Sequence, residues 1–381
     1  MKKIVLLTLT LFSFILAHSQ TFNIYFGTLN RDYIVHTPAG YNSSNQYPLV
    51  FNLHGYTSDA TQEQFYTQMN ATSDANDFIV VYPNGIANAW NSGFVGTYGT
   101  GIDDVGFISA IIDSMNKNFS INLNRVYACG MSNGGYQSYR LACELSNRIA
   151  AIASVTGSMT DSTYFYCNPT RPVPTMQVHG TTDGTVNYNG FPGSKPIEDV
   201  IQFWSDHNLC TAAVETTAVP NINTTDNTTA DFIQIKGCTL GIENWFYKVY
   251  NGGHTWPGSV VDIIGSNTNR DFNASQRIWD FFNRYTLAGP TSIQNTSSST
   301  DMLVYPNPTS NQLQITTNDN NQAVDIVIMD LLGKSKLQEY IQVANGQAHV
   351  LDVSSLDAGN YILHYKLADG SLITKKFAVI K

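Results

Sequence analysis

The sequence predicts an α/β fold, a mostly parallel sheet with helices on both faces, followed by a small all-β sandwich. Three observations carry this reading. Short, mostly apolar and β-branched runs recur between residues 48 and 250, as strands buried on both faces require. Segments between them place apolar residues at the i, i+3, i+4 spacing of a helix. Near residue 288 the texture changes: a Ser/Thr/Asn/Gly-rich stretch is followed by short alternating runs with no extended helical period.

In chain order, Lys2 and Lys3 precede an apolar stretch from Ile4 to Leu16, closed by the small residues Ala17 and Ser19. This is the layout of a cleaved secretory signal, residues 1–19. The stretch is shorter than the ~20 apolar residues of a membrane span, and no second candidate follows, so stable membrane insertion is not expected. Phe22, Ile24 and Phe26, then Tyr33 and Val35, alternate about a turn near Gly27 as a hairpin does. The buried-strand runs are Pro48 to Leu53, Phe78 to Tyr82, Arg125 to Cys129, Ile149 to Val155, Val173 to Val178 and Trp245 to Tyr250. Asp103 and Asp104 can cap a helix carrying Val105, Ile108, Ile111, Ile112 and Met115. Ile197, Val200, Ile201 and Trp204 mark another helix; Ile278, Phe281 and Phe282 mark a third. The expected domains are an α/β unit over 20–287, a linker over 288–300 and the all-β unit over 301–381, whose strands carry Leu313/Ile315, Val324/Ile326/Ile328, Val350/Leu351/Val353 and Tyr361/Leu363/Tyr365.

Composition narrows the function. The net charge of −9, without a Lys/Arg cluster, argues against a nucleic-acid partner. The five cysteines form no C-x-x-C pair and do not gather with histidines at ligand spacing, so no metal or other cofactor is expected.

The chemistry centres on Gly130-Met131-Ser132-Asn133-Gly134-Gly135, the one G-x-S-x-G in the chain. It follows an apolar strand and opens a helix-compatible stretch. A serine on such a strained strand-to-helix turn is an exposed nucleophile, and the new helix aims its first amides at developing negative charge. A hydroxyl needs a base, and the base an orienting carboxylate. His254, in Gly252-Gly253-His254, follows the strand Trp245 to Tyr250, whereas His179 ends a strand, His207 lies by a helix, and His349 and His364 fall in the all-β unit. Asp183 stands just past the strand Val173 to Val178; Asp161 and Asp226 lie in polar loops, Asp199 and Asp206 on or near a helix. The candidate triad is Ser132, Asp183 and His254. The backbone N–H of Asn133 is one candidate oxyanion donor, and the loop Leu53-His54-Gly55-Tyr56 the source of the other, with His54 shaping that loop.

Residues from about 30 to 285 resemble the secreted esterases that include polyhydroxybutyrate depolymerase-like and feruloyl/acetylxylan enzymes. The carriers are Leu53-His54-Gly55, Tyr82-Pro83-Asn84-Gly85, Asp104-Val105-Gly106-Phe107-Ile108, Arg125-Val126-Tyr127, Gly130 to Gly135, His179-Gly180-Thr181-Thr182-Asp183 and Gly253 to Gly258. The resemblance implies an α/β-hydrolase fold, the same triad, Tyr56 and Asn133 as oxyanion donors, and Trp90 and Trp256 lining an acyl or aromatic subsite. Ala89-Trp90 departs from the Cys-Trp of many relatives, so a disulfide there is absent. The all-β unit resembles the C-terminal sorting domain of the Bacteroidetes type IX secretion system, through Tyr305-Pro306-Asn307-Pro308 and Leu356-Asp357-Ala358-Gly359-Asn360-Tyr361. Its lack of tryptophan disfavours a carbohydrate-binding module. The implied function is a secreted or surface-attached serine ester hydrolase, acting on feruloyl or acetyl esters of polysaccharides and exported by the type IX machinery. A polyester depolymerase and an inactive surface-binding hydrolase fold are the alternatives.

Sheet geometry orders the cysteines. The helix after Ser132 starts at the active-site edge, and at ~1.5 Å per residue Cys143 lies about 16 Å away, toward the opposite edge. Cys167 precedes the strand Val173 to Val178 and belongs at that same edge. The expected bridges are Cys143–Cys167 and Cys210–Cys238, with Cys129 a buried thiol.

Overall fold

The computed structural model describes residues 18–94, 101–212, 214–290, 303–316, 322–330, 334–343, 348–366 and 372–381. Residues 1–17 of the expected signal and 291–300 of the expected linker lie outside these. The chain separates into two compact units, Met1–Ser292 and Ile293–Lys381.

The first unit is built on one ten-stranded sheet. Its N-terminal hairpin is β1 (His18–Phe26) and β2 (Leu29–Thr37). The strands β3 (Tyr47–Leu53), β4 (Ile79–Pro83), β5 (Ile121–Met131), β6 (Ala151–Val155) and β7 (Thr175–Gly180) follow, each fully or mostly buried. Then come β8 (Val214–Val219), β9 (Thr229–Ile235) and β10 (Asn244–Tyr250). The spatial order is β1-β2-β4-β3-β5-β6-β7-β10-β9-β8. From β4 through β10 every pairing is parallel; the pairs at either margin are antiparallel.

Helices cover both faces because the strands are apolar on both. Leu49, Phe51 and Leu53 of β3 join a core that includes α3 (Asp104–Asn118), α4 (Asn133–Glu144) and α6 (Ile197–His207). Val50, on the other face, joins residues of α1 (Ala60–Thr67), α2 (Met69–Asn76) and α7 (Ala274–Phe282). α3 is capped as the sequence suggests, Asp103 accepting from the Gly106 N–H at 2.7 Å. This is the α/β-hydrolase arrangement. Cys143, at the end of α4, is bridged to Cys167, just after the short helix α5 (Asp161–Tyr166); Cys210 is bridged to Cys238, and Cys129 is a buried free thiol.

The sequence reading did not separate two features. β8 and β9 fall inside the polar excursion between Cys210 and Cys238; β8 is an exposed edge strand, so no buried face imposes alternation on it. α1 and α2 are short, with few apolar residues, and helix there follows from docking rather than from a stripe. A two-residue hairpin, β11 (Tyr285–Thr286) and β12 (Gly289–Pro290), closes the unit.

The second unit is a sandwich. One sheet orders β13 (Leu303–Tyr305), β14 (Gln312–Thr316) and β17 (His349–Asp352). The other orders β16 (Ser335–Val343), β15 (Gln322–Asp330), β18 (Gly359–Lys366) and β19 (Leu372–Val379). Leu313, Ile315, Ile326, Ile328, Leu351, Leu363 and Phe377 are among the side chains that fill its core. Among the described residues no helix is long and apolar enough to cross a membrane.

Candidate active site

Ser132 sits between β5 and α4 with φ +54° and ψ −118°, a conformation L-residues adopt at a cost of roughly 1–3 kcal/mol. The strain is held from both sides: the Ser132 N–H donates to Val155 O at 2.8 Å, and its carbonyl accepts from Tyr136 at 3.0 Å. The turn also demands that α4 approach β3. A Cβ on Gly134 would lie 1.9 Å from the Leu53 carbonyl oxygen, so only glycine fits.

Asp183 lies three residues beyond β7, and His254 four beyond the parallel strand β10. Their loops meet at Gly180, where a Cβ would stand 2.2 Å from Gly252 O. The His254 imidazole bonds Asp183 Oδ2 through Nδ1 at 2.8 Å. The buried carboxylate is further held by the N–H groups of Thr185 (2.8 Å) and Val186 (2.9 Å), both on Oδ1. A carboxylate accepts, so in this bond Nδ1 of His254 donates, and in that tautomer of the neutral imidazole Nε2 is the acceptor. Ser132, Asp183 and His254 thus stand at the C-terminal ends of β5, β7 and β10, where open α/β sheets place their chemistry.

Two other histidines near this end have different roles. His179 is fully buried, its Nδ1 meeting the Gln177 side-chain amide at 3.0 Å and its Nε2 facing Val186 O at 2.9 Å. Burial pushes its pKa down to about 4, so it is a neutral wall behind Asp183. His54 faces the Gly55 carbonyl through Nδ1 at 2.7 Å and accepts the Gly85 N–H through Nε2 at 3.0 Å. Burial lowers its pKa as well, and it ties the loop after β3 to the loop after β4.

That loop borders Ser132: a Cβ on Gly55 would be 3.5 Å from Ser132 Cβ. Tyr56, next in sequence, is exposed. Asn133 is the first residue of α4, whose leading amides have no acceptor within the helix. Its side chain is occupied elsewhere, accepting the Trp90 N–H at 2.6 Å and donating to Ser92 Oγ at 2.9 Å.

Trp90 and Trp256 are not where a subsite-lining role would put them. They are 4% and 1% exposed, and each spends its indole N–H inside the protein, Trp90 on His54 O at 2.9 Å and Trp256 on Ser275 Oγ at 3.1 Å. A ring packed on all sides supports a wall and offers no face to substrate. Besides Tyr56, two exposed aromatic side chains that the sequence did not single out pack near the start of α4. Phe94 (44% exposed) and Phe191 (39%) lie parallel with centroids 6.4 Å apart, and Phe94 meets Tyr136 edge-on at 4.8 Å. Tyr136 is in the first turn of α4, and its hydroxyl is hydrogen-bonded to Ser194.

The motif residues Asn84 and Asp104 prove to hold loops. Arg31 pairs with Asp104 at 2.7 Å and donates to Asn84 O at 2.9 Å, while Asp104 Oδ2 accepts the Asn91 N–H at 2.7 Å. Among the described residues, no group of three or more His, Cys, Asp or Glu side chains could hold a metal ion.

Residues 303–381 match the family model of the secretion system C-terminal sorting domain. That match marks the chain as secreted or displayed at the cell surface. The larger unit is similar to known esterases. It is 31% identical over 263 residues to a bifunctional acetylxylan esterase/xylanase of Neocallimastix patriciarum, covering 69% of this chain and 34% of that protein. It is 29% identical over 239 residues to feruloyl esterase B of Piromyces equi, covering 59% of this chain and 42% of that one. A probable feruloyl esterase C of Aspergillus terreus is 28% identical over 59% of this chain and 76% of its own length. The chain therefore spans less than half the length of the first two relatives. Among solved structures, an acetyl xylan esterase from Aspergillus awamori superposes with a TM-score of 0.47 at 16% identity, covering 65% of this chain and 96% of that one.

Proposed function

We propose that this protein is an exported carboxylic ester hydrolase that works through an acyl-enzyme on Ser132. The observation that carries the reading is the 2.8 Å bond from His254 Nδ1 to the buried Asp183 carboxylate, at the same sheet end as the strained serine. Ser132 Oγ attacks the ester carbonyl while its proton passes to His254 Nε2. The resulting imidazolium is stabilised by Asp183, and the oxyanion takes the backbone N–H groups of Asn133 and Tyr56. His254 then returns the proton to the departing alcohol. Water attacks the acyl-enzyme with His254 again as base, releasing the acid and restoring Ser132.

The substrates are feruloyl or acetyl esters of polysaccharides, on the strength of the similarity to enzymes bearing those names. The partly exposed, parallel Phe94–Phe191 pair favours an aromatic acyl group over bare acetyl, since exposed aromatic surface offers ring contacts that an acetyl group cannot use. The C-terminal unit engages the type IX machinery during export. Ser132→Ala should lower kcat on p-nitrophenyl acetate by ~10⁴-fold or more without unfolding the protein. Near wild-type turnover in the folded variant would mean that another residue is the nucleophile, whereas no turnover by the unmodified protein would return the chain to the binding-protein alternative. Parallel rates on methyl ferulate and acetylated xylan order the two substrates.

A further inference from the structure

His254 is held through its side chain by Asp183, but a base also needs its backbone in place. Residues 253–255 form a tight turn, the Thr255 N–H bonding back to Gly253 O at 3.0 Å. The next N–H, of Trp256, donates to Tyr66 Oη at 3.1 Å. Two more links, the second passing through Ser275 of α7, join the same stretch to the end of α1. Ser259 Oγ donates to Tyr66 O at 3.1 Å. Trp256 Nε1 donates to Ser275 Oγ at 3.1 Å, and Ser275 Oγ in turn donates to Thr67 O at 2.6 Å.

The other end of α1 is equally constrained. Asp59 caps it, accepting the Gln62 N–H at 2.9 Å, and the Ala60 N–H is bound by Asn84 Oδ1 at 2.7 Å. Just before the cap lies the 54–56 loop beside Ser132. One two-turn helix therefore joins the loop that borders the nucleophile to the loop that carries the histidine.

We infer that Tyr66 is a positioning residue for His254, its hydroxyl fixing the histidine loop on α1 so that Nε2 is set at a constant distance from Ser132. The hydroxyl suits the task. Burial pushes its pKa up to about 12, so it stays a neutral acceptor throughout the pH range in which an esterase works. Phenylalanine would keep the ring and its packing but leave the buried Trp256 N–H without an acceptor, and the turn would shift to find one. A displacement of about 1 Å at a catalytic group costs up to ~10²-fold in rate.

The inference rests on the reading of His254 as the base. It is tested on the full-length protein with Tyr66→Phe and Ser275→Ala, which cut two separate ties of the loop to α1. The expected result is a fall in kcat on p-nitrophenyl acetate of about 10- to 100-fold for Tyr66→Phe and a smaller fall for Ser275→Ala. KM should be unchanged, because no substrate contact is touched. A purely structural role would lower the melting temperature and leave kcat alone. A kcat within about twofold of wild type in folded Tyr66→Phe overturns the inference; if that variant does not fold, the same result in Ser275→Ala does so. Failure of the triad reading is separable, because only then would Ser132→Ala remain active.

Discussion

Replacing Asp183 with asparagine changes one atom, and the structure dictates how the new side chain must lie. Oδ1 accepts two backbone N–H groups, from Thr185 at 2.8 Å and Val186 at 2.9 Å. An amide NH₂ placed against those donors would face hydrogen with hydrogen and leave both buried amides unpaired, at ~1–3 kcal/mol each. The asparagine carbonyl therefore takes the Oδ1 position, and the NH₂ falls where Oδ2 now receives His254 at 2.8 Å. The imidazole must then accept at Nδ1, which moves its proton to Nε2, the nitrogen that should take the proton of Ser132. A wrong tautomer of this kind costs ~10⁴-fold in kcat, or about 5 kcal/mol of barrier. Asp183→Asn should show that loss with KM near wild type and a melting temperature little changed, since the loop keeps its amide bonds. Asp183→Ala, which abandons them, should be less stable. The assay is steady-state kinetics on p-nitrophenyl acetate beside a thermal melt. A folded Asp183→Asn enzyme within about tenfold of wild-type kcat would refute the tautomer argument.

Three further outcomes are expected. Glu63 on α1 is fully buried, and burial raises its pKa well above the ordinary 4.5, so the folded state favours the protonated form; the stability this confers is complete below about pH 4.5 and is lost as pH climbs toward the raised value. Glu63→Gln should accordingly melt progressively higher than wild type as pH rises from 5 to 9, and a pH-independent difference would show that Glu63 does not titrate there. Reductant should lower the melting temperature, because bridges separated by 24 and 28 residues each contribute about 3.5 kcal/mol by loop closure; an unchanged melt in a protein proved reduced by thiol titration would contradict this. Removing residues 301–381 should leave kcat on soluble esters intact and stop the enzyme reaching the medium of its native host, and secretion of the truncated chain would end the sorting assignment.

The central sheet was legible because each parallel strand is buried on both faces, and burial leaves a long apolar run such as Phe78 to Tyr82 or Ile149 to Val155 in the sequence. The margin was not. β8 reads Val-Glu-Thr-Thr-Ala-Val and pairs on one side only, so neither burial nor alternation marks it. The strand-turn-helix around Ser132 is a local event written in three glycines. The amide cradle of Asp183 arises from residues two and three places further on, whose backbone direction no side-chain pattern encodes. Trp90 and Trp256 illustrate the opposite difficulty. A tryptophan near a catalytic motif has one letter whether its ring faces the substrate or the core, and here partners distant in sequence, His54 and Ser275, turn both inward. Tyr66 carries no signal at all, since its partner lies 190 residues away.

The buried Cys129 bears on how such a chain comes to be folded. In an oxidising compartment an odd thiol can capture a neighbour's partner. Cys129 stands 14 positions from Cys143 in the sequence, against the 24 that separate Cys143 from its bridge to Cys167. In a disordered chain the shorter loop closes more readily, so early oxidation would favour the wrong pair. Burial within β5 removes that competitor, and its thiol is held protonated, with a pKa raised well above its ordinary value by the loss of solvent. A sheet that closes over Cys129 before Cys143 is oxidised leaves Cys167 as the sulfur that Cys143 meets.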